Sequence, residues 1–124
     1  MKTFQPKGKI DRKKIEIDAR GQILGRLATK IAGLLMGKGK ASYSANIDSG
    51  DFVEVVNAKD IVLTGKKAKQ KTYISHSGYP GGLKEVSFEK MNKEQPSKVV
   101  RIAVSGMLPD NRLKRDRMAR LSFK

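Results

Sequence analysis

Residues 23–36 read ILGRLATKIAGLLM, and the spacing of the apolar residues in this stretch decides the fold. Leu24, Leu27, Ala28, Ile31, Leu34 and Leu35 recur at three- and four-residue steps and fall on one helical stripe, with Arg26 and Lys30 outside it. Gly37 and Gly39 follow and are expected to stop the helix. Upstream, across the Arg20-Gly21 break, Ile15, Ile17 and Ala19 alternate with Lys14, Glu16 and Asp18, the two-residue period of a strand with one buried face. Downstream, Phe52, Val53, Val55 and Val56 make a nearly continuous apolar run, as expected of a central strand covered on both faces. Strand, helix and strand in that order predict a right-handed βαβ crossover.

Farther out, Ile61–Leu63 has the composition of a further short strand. Thr72–Ser75 and Leu83–Phe88 read as the two arms of a hairpin closed by a glycine loop. Pro96 suits the first turn of a helix, and Val99, Val100, Ala103, Val104, Met107 and Leu108 keep a helical stripe, although VVRIAV also satisfies a strand. The chain has 124 residues, 38% of them apolar, enough for one domain with a modest core. A basic N-terminal arm is expected over about residues 1–14 and a basic C-terminal segment over about 110–124.

Lys and Arg number 27 against 12 acidic residues, a formal charge of +15. So large an excess repels itself in a compact chain, and its natural relief is a polyanion: RNA, DNA or an acidic membrane surface. The membrane is the weaker choice. LATKIAGLLM, the most apolar run, is interrupted by Lys30 and falls well short of the roughly 18 residues that span a bilayer. The start, MKTFQPKGKIDRKK, is basic but leads into no apolar segment of the kind a secretory signal carries. Cysteine is absent, which removes disulfides and thiolate metal sites and fits a reducing compartment.

The segment built to meet phosphates is residues 66–82, KKAKQKTYISHSGYPGG. Lys66, Lys67, Lys69 and Lys71 supply mobile charge, and Gly78, Gly81 and Gly82 allow a backbone to approach a polyanion closely. His76 and Tyr79 are flat rings able to stack on an unpaired base. Taken alone, the same segment is equally well an ordinary hairpin tip with solvated lysines.

Enzymatic constellations are poorly supported. GLLMGKGK and LTGKKAK contain Gly-Lys pairs but lack the spacing of a phosphate-cradling loop. Asp48 and Asp51 have the chemistry of a magnesium site, but the simpler reading is a turn into the Phe52 strand. His76 is the only histidine, too few for a histidine metal cluster, and the neighbouring Ser75 and Ser77 have no identifiable partner for nucleophilic chemistry. Neither an enzyme activity, a cofactor nor a bound metal is expected.

Five motifs in order carry a resemblance: LGRLATKIAGLL, DSGDFVEVVNA, TGKKAKQK, HSGYPGG and AVSGMLP. They resemble the large-subunit ribosomal protein L-thirteen family over about Ile15 to Leu121, nearly the whole chain. The resemblance implies a three-layer α/β/α domain around a mostly parallel or mixed four-stranded sheet, with basic loops and arms. It implies a non-catalytic constituent of the large ribosomal subunit in the cytoplasm that binds large-subunit rRNA early in assembly, beside neighbouring ribosomal proteins, with no membrane or small-molecule partner. A general RNA- or DNA-binding regulator is the alternative. The residues expected against RNA are Lys38, Lys40, Lys66, Lys67, Lys69, Lys71, His76, Gly78, Tyr79, Gly81, Gly82, Arg112, Lys114, Arg115, Arg117 and Arg120, the arginines because a guanidinium fork grips phosphate or stacks on a base. After GMLP the family usually keeps a glycine before a basic residue. Lys114-Arg115 here instead point to regular helix.

Overall fold

Strand β1 (Lys14–Asp18) lies parallel to β2 (Phe52–Val56), with Ile15 opposite Val53 and Ile17 opposite Val55, and helix α1 (Leu24–Met36) carries the chain between them. The computed structural model describes residues 4–124; the first three residues of the basic arm lie outside the described residues. α1 ends where expected: Gly37 takes a left-handed conformation (φ 79°) and its N–H donates to the carbonyls of Gly33 and Leu34. Leu27, Ala28, Ile31 and Leu35 are fully buried, and so, nearly, are Ala32 and Met36, which the stripe left out. α1 packs against both β2 and helix α4 (Pro96–Met107), so its buried arc is wider than one partner would need.

β2 is central, as expected, but its second neighbour was not foreseen. Strand β5 (Leu121–Phe123) pairs with it in parallel, Val53 opposite Leu121 and Val55 opposite Phe123, giving the order β1-β2-β5. Three residues are too few to show a period in the sequence. The expected strand at Ile61–Leu63 shrinks to one parallel bridge between Val62 and Ile23. Strands β3 (Thr72–His76) and β4 (Leu83–Ser87) form the expected hairpin as a separate antiparallel sheet. The α/β class with a mostly parallel sheet therefore holds, while the four-stranded sheet becomes three strands plus a hairpin.

Layering differs as well. Ile15, Ile17, Val53, Val55, Leu121 and Phe123 share the face that meets the core, whereas Lys14, Glu16, Asp18, Phe52 and Ser122, on the other face, are exposed. β2 is thus covered on one face, not both, and no second helical layer lies on the outer side among the described residues. The steps β1 to β2 and β2 to β5 move across the sheet in one direction, and crossovers of one hand then place their helices on the same side.

The Val99–Val104 ambiguity resolves as helix: α4 opens with Pro96 at its first turn and buries Val99, Val100 and Val104, while Met107 leaves the stripe and is exposed. Helix α3 (Phe88–Glu94) takes over where the second hairpin arm was expected to continue. Ser87 caps it by accepting from the Lys90 N–H at 3.4 Å, and Phe88 and Met91, three apart, turn into the core. Helix α5 (Leu113–Ala119) is regular, as the Lys114-Arg115 departure implied.

Candidate nucleic-acid interface

The lysine run forms a single helical turn, α2 (Lys67–Gln70), that buries nothing. Lys66, Lys67, Lys69 and Lys71 are all exposed, and none is ion-paired among the described residues. Lys71 leads directly into β3, and its ammonium sits 5.6 Å from the centre of the Tyr73 ring. Four close, uncompensated ammonium groups create a local positive potential that only a polyanion relieves at close range.

The loop at the end of the hairpin is folded on itself. The Ser77 N–H donates to the Gly82 carbonyl at 3.1 Å and the Gly82 N–H to the Tyr79 carbonyl at 2.9 Å. His76 Nδ1 accepts from the Gly78 N–H at 2.9 Å, so the imidazole braces the turn while its ring stays exposed. Gly78 and Gly81 have φ of 85° and 73°, which a side chain tolerates poorly. Gly82 is required for a different reason: a Cβ there would run into the Ser77 hydroxyl and come within 2.9 Å of the Tyr79 carbonyl. This closure thrusts Tyr79 outward, 76% exposed. Sequence reading missed what lies beside it. Tyr73 and Val86 face the core, so the alternate positions Ile74 and Leu83 face outward at 64% and 58% exposure, next to His76. The two-residue alternation from Tyr73 was the available signal.

The expected basic residues outside the hairpin divide into two groups. Lys38, Arg112 and Arg115 are exposed. Lys114 is half-buried and paired with Asp110 one turn earlier, at 2.7 Å. Arg117, Arg120 and Lys40, however, are turned inward, which corrects their assignment to an outer RNA-facing surface. Arg117 is 2% exposed with its Nε 3.6 Å from Asp48. Arg120 grips both oxygens of Asp48 and donates to the Leu35 carbonyl at 2.7 Å, at the C-terminal end of α1. Lys40 pairs with Asp51 at 2.7 Å and donates to the Asp11 carbonyl at 2.9 Å. Arg12, not singled out from the sequence, joins the same cluster by donating to the Gly50 carbonyl at 2.6 Å and the Asp48 carbonyl at 2.9 Å. Gly50 lies where this loop crosses α1 so closely that a Cβ would collide with the Leu35 carbonyl.

Asp48 and Asp51 are therefore structural counter-charges. Burial alone would push the Asp48 carboxyl up, but the hydrogen bonds and charge of Arg120, with Arg12 beyond, hold it below the ordinary carboxylate value. Asp51 is likewise held low: desolvation is outweighed by Lys40 and by the Lys13 N–H, which donates to it at 3.0 Å. Oxygens already committed to cations are a poor place for magnesium, and no group of three or more His, Cys, Asp or Glu side chains with metal-site geometry occurs among the described residues.

A small basic α/β protein that neutralises its buried cations with carboxylates, and leaves its outer lysines bare around a glycine loop with exposed rings, belongs to the nucleic-acid-binding class. Residues 12–123 match the family model described as Ribosomal protein L13, and the chain belongs to that family. It is 51% identical to the large ribosomal subunit protein uL13 of Chloroflexus aggregans over 98% of this chain and 85% of that one. Identity is 52% to the protein of the same name from Syntrophus aciditrophicus and 51% to that from Dictyoglomus thermophilum, each over 98% of this chain and 86% of the relative.

Proposed function

We propose that this protein is a structural constituent of the large ribosomal subunit in the cytoplasm, binding large-subunit rRNA and supporting its early assembly without catalysing a reaction. The observation that supports this most directly is the pairing pattern: buried arginines have carboxylate partners, whereas the lysines of α2 have none. Lys66, Lys67, Lys69 and Lys71, with Lys38, Arg112 and Arg115, are the proposed phosphate contacts, and Lys114 reaches the same surface once Asp110 releases it. His76, Gly78, Tyr79, Gly81 and Gly82 form the loop proposed to enter a groove, where Tyr79 stacks on an unpaired base and Ile74 and Leu83 cover apolar sugar and base edges. Lys40, Arg117 and Arg120 act indirectly, by fixing the loop and arm that present the others. None of the helices among the described residues is long and apolar enough to cross a membrane.

Ribonuclease footprinting of the isolated protein on large-subunit rRNA tests this reading. A discrete protected site that persists at raised salt, together with co-sedimentation with large subunits, is the expected result. Uniform weak protection of any RNA or DNA would instead favour a general nucleic-acid-binding regulator.

A further inference from the structure

Three clefts run into one another along the N-terminal arm. The first, of 450 Å³, is walled by Lys7, Lys9, Lys13 and Ala41. The second, of 780 Å³, shares residues 8–11 with it and ends on Phe52, which is 46% exposed. The third, of 270 Å³, shares Lys13 and Lys40 with the first and reaches Gly33, Leu34 and Gly37 at the C-terminal end of α1. Lys7, Lys9 and Lys13 are exposed and have no ion-pair partner among the described residues, against one unpaired carboxylate in the lining, Asp11; Lys40 is already taken by Asp51. Phe52 shares its cleft with Lys9 and Arg12 and stands opposite Lys14, itself paired with Glu54 at 3.3 Å, so cations surround an exposed ring. The groove is also built in advance. Lys40 donates to the Asp11 carbonyl, Arg12 to the Gly50 and Asp48 carbonyls and the Lys13 N–H to Asp51, while the Lys13 carbonyl accepts from the Phe52 N–H at 2.9 Å. Walls fixed beforehand lower the ordering cost of filling the groove.

We propose that this groove holds a second, single-stranded segment of rRNA, its phosphates on Lys7, Lys9 and Lys13 and one base stacked on the Phe52 ring. The inference rests on the ribosomal reading above and adds to it a surface separate from the hairpin. A groove with unpaired lysines and an aromatic ring at its edge suits a single strand, whose backbone needs its charge neutralised and whose bases offer a face to stack. Its place in the fold makes it a second site. Lys67 of α2 borders the cleft at the start of α1, with Gly25 and Arg26, whereas the groove reaches the helix at its end. The 13 residues of α1 set the two about 20 Å apart. One protein then ties together two RNA segments that meet it at opposite ends of one helix.

The chain has no cysteine, so Ala45→Cys, exposed in the loop that walls the groove but outside its lining, and Gln70→Cys at the end of α2 each give a unique attachment point for an iron chelate that cuts nearby RNA by hydroxyl radicals. Each labelled protein is reconstituted into large subunits and the rRNA cuts are mapped. The expected result is cutting from position 45 in a different rRNA segment from that cut from position 70. Adding Lys7→Gln, Lys9→Gln and Lys13→Gln together should abolish the first set of cuts and spare the second. Within the segment cut from position 45, Phe52→Leu should raise the chemical reactivity of one base about fivefold or more, as loss of a stacking contact requires, while Phe52→Trp keeps it protected. No rRNA cut from position 45, cuts in the same segment from both positions, cuts indifferent to the three lysines, or a base reactivity indifferent to Phe52→Leu would each overturn the proposal for the groove while leaving the ribosomal reading intact. If the parent protein fails to enter large subunits, the functional reading falls and this inference with it.

Discussion

Asp48 balances three guanidinium groups, those of Arg120, Arg117 and Arg12, and so ties the C-terminal helix and the N-terminal arm to the loop before β2. Removing the charge leaves buried arginines without a counter-ion, a situation that costs roughly 3–5 kcal/mol. We therefore expect Asp48→Asn to unfold at markedly lower denaturant; a midpoint equal to the parent's would show that the cluster is not what holds these segments. The same carboxylate sets an acid limit. Asp48 and Asp51 titrate below their ordinary 3.8 in the folded protein, so the stability they contribute is complete above that value and is lost as pH falls through their lower folded values. Thermal melts are expected to vary little on this account between about pH 7 and 5 and to drop below about pH 4. In Asp48→Asn the acid drop should be smaller.

At the scale of elements, binding and folding separate cleanly. Changing Lys66, Lys67, Lys69 and Lys71 together to Gln removes four charges from α2 and its flanks, which bury nothing, so RNA affinity should fall with little change in melting; relief of self-repulsion even favours the folded state slightly. Leu27→Ala does the reverse. Leu27 is fully buried under the sheet and α4, and truncating such a leucine costs roughly 2–5 kcal/mol. Melts and RNA titrations on both variants decide it, and an early melt for the lysine variant beside a parent-like melt for Leu27→Ala would invert the assignment of core and surface. Gly82→Val tests the hairpin loop. Its new Cβ meets the Ser77 hydroxyl and the Tyr79 carbonyl, so the loop must open and Tyr79 swing away. Incorporation into large subunits should be impaired while the core melts normally; normal incorporation would reduce the loop to a simple turn.

For the whole molecule the governing quantity is the charge of +15. If binding neutralises about 6 to 10 phosphates, affinity for RNA should fall on the order of 10³ to 10⁵ between roughly 50 and 200 mM salt. Filter binding or anisotropy across that range measures the slope. A nearly flat slope would sink the electrostatic account, and a steep one for α2-depleted protein would move the contact to Lys38, Arg112 and Arg115.

Periodicity was sufficient for the parts of this protein whose residues answer only to their own element. Ile15, Ile17 and the Leu24–Leu35 stripe follow from which side chains leave water, and the hairpin follows from alternation closed by glycines, so β1, α1, β2, β3 and β4 were legible, along with the exposed lysines of α2, whereas Val99–Val104 fitted helix and strand alike until packing on α1 made it helix. What tertiary structure decided was every feature that depends on a partner distant in the chain. β5 is a strand because β2 lies beside it, since three residues supply too little signal of their own. The helices gather on one side because successive crossovers share a hand and a direction, which leaves Phe52 in water though its apolar run reads as doubly buried. Arg117 and Arg120 have the same side-chain chemistry as Arg112 and Arg115, and only the fold brings Asp48, 72 residues before Arg120, to within reach of them. Charge in a sequence says that a cation exists; the position of the nearest carboxylate, which only the folded chain fixes, says whether that cation is left for RNA.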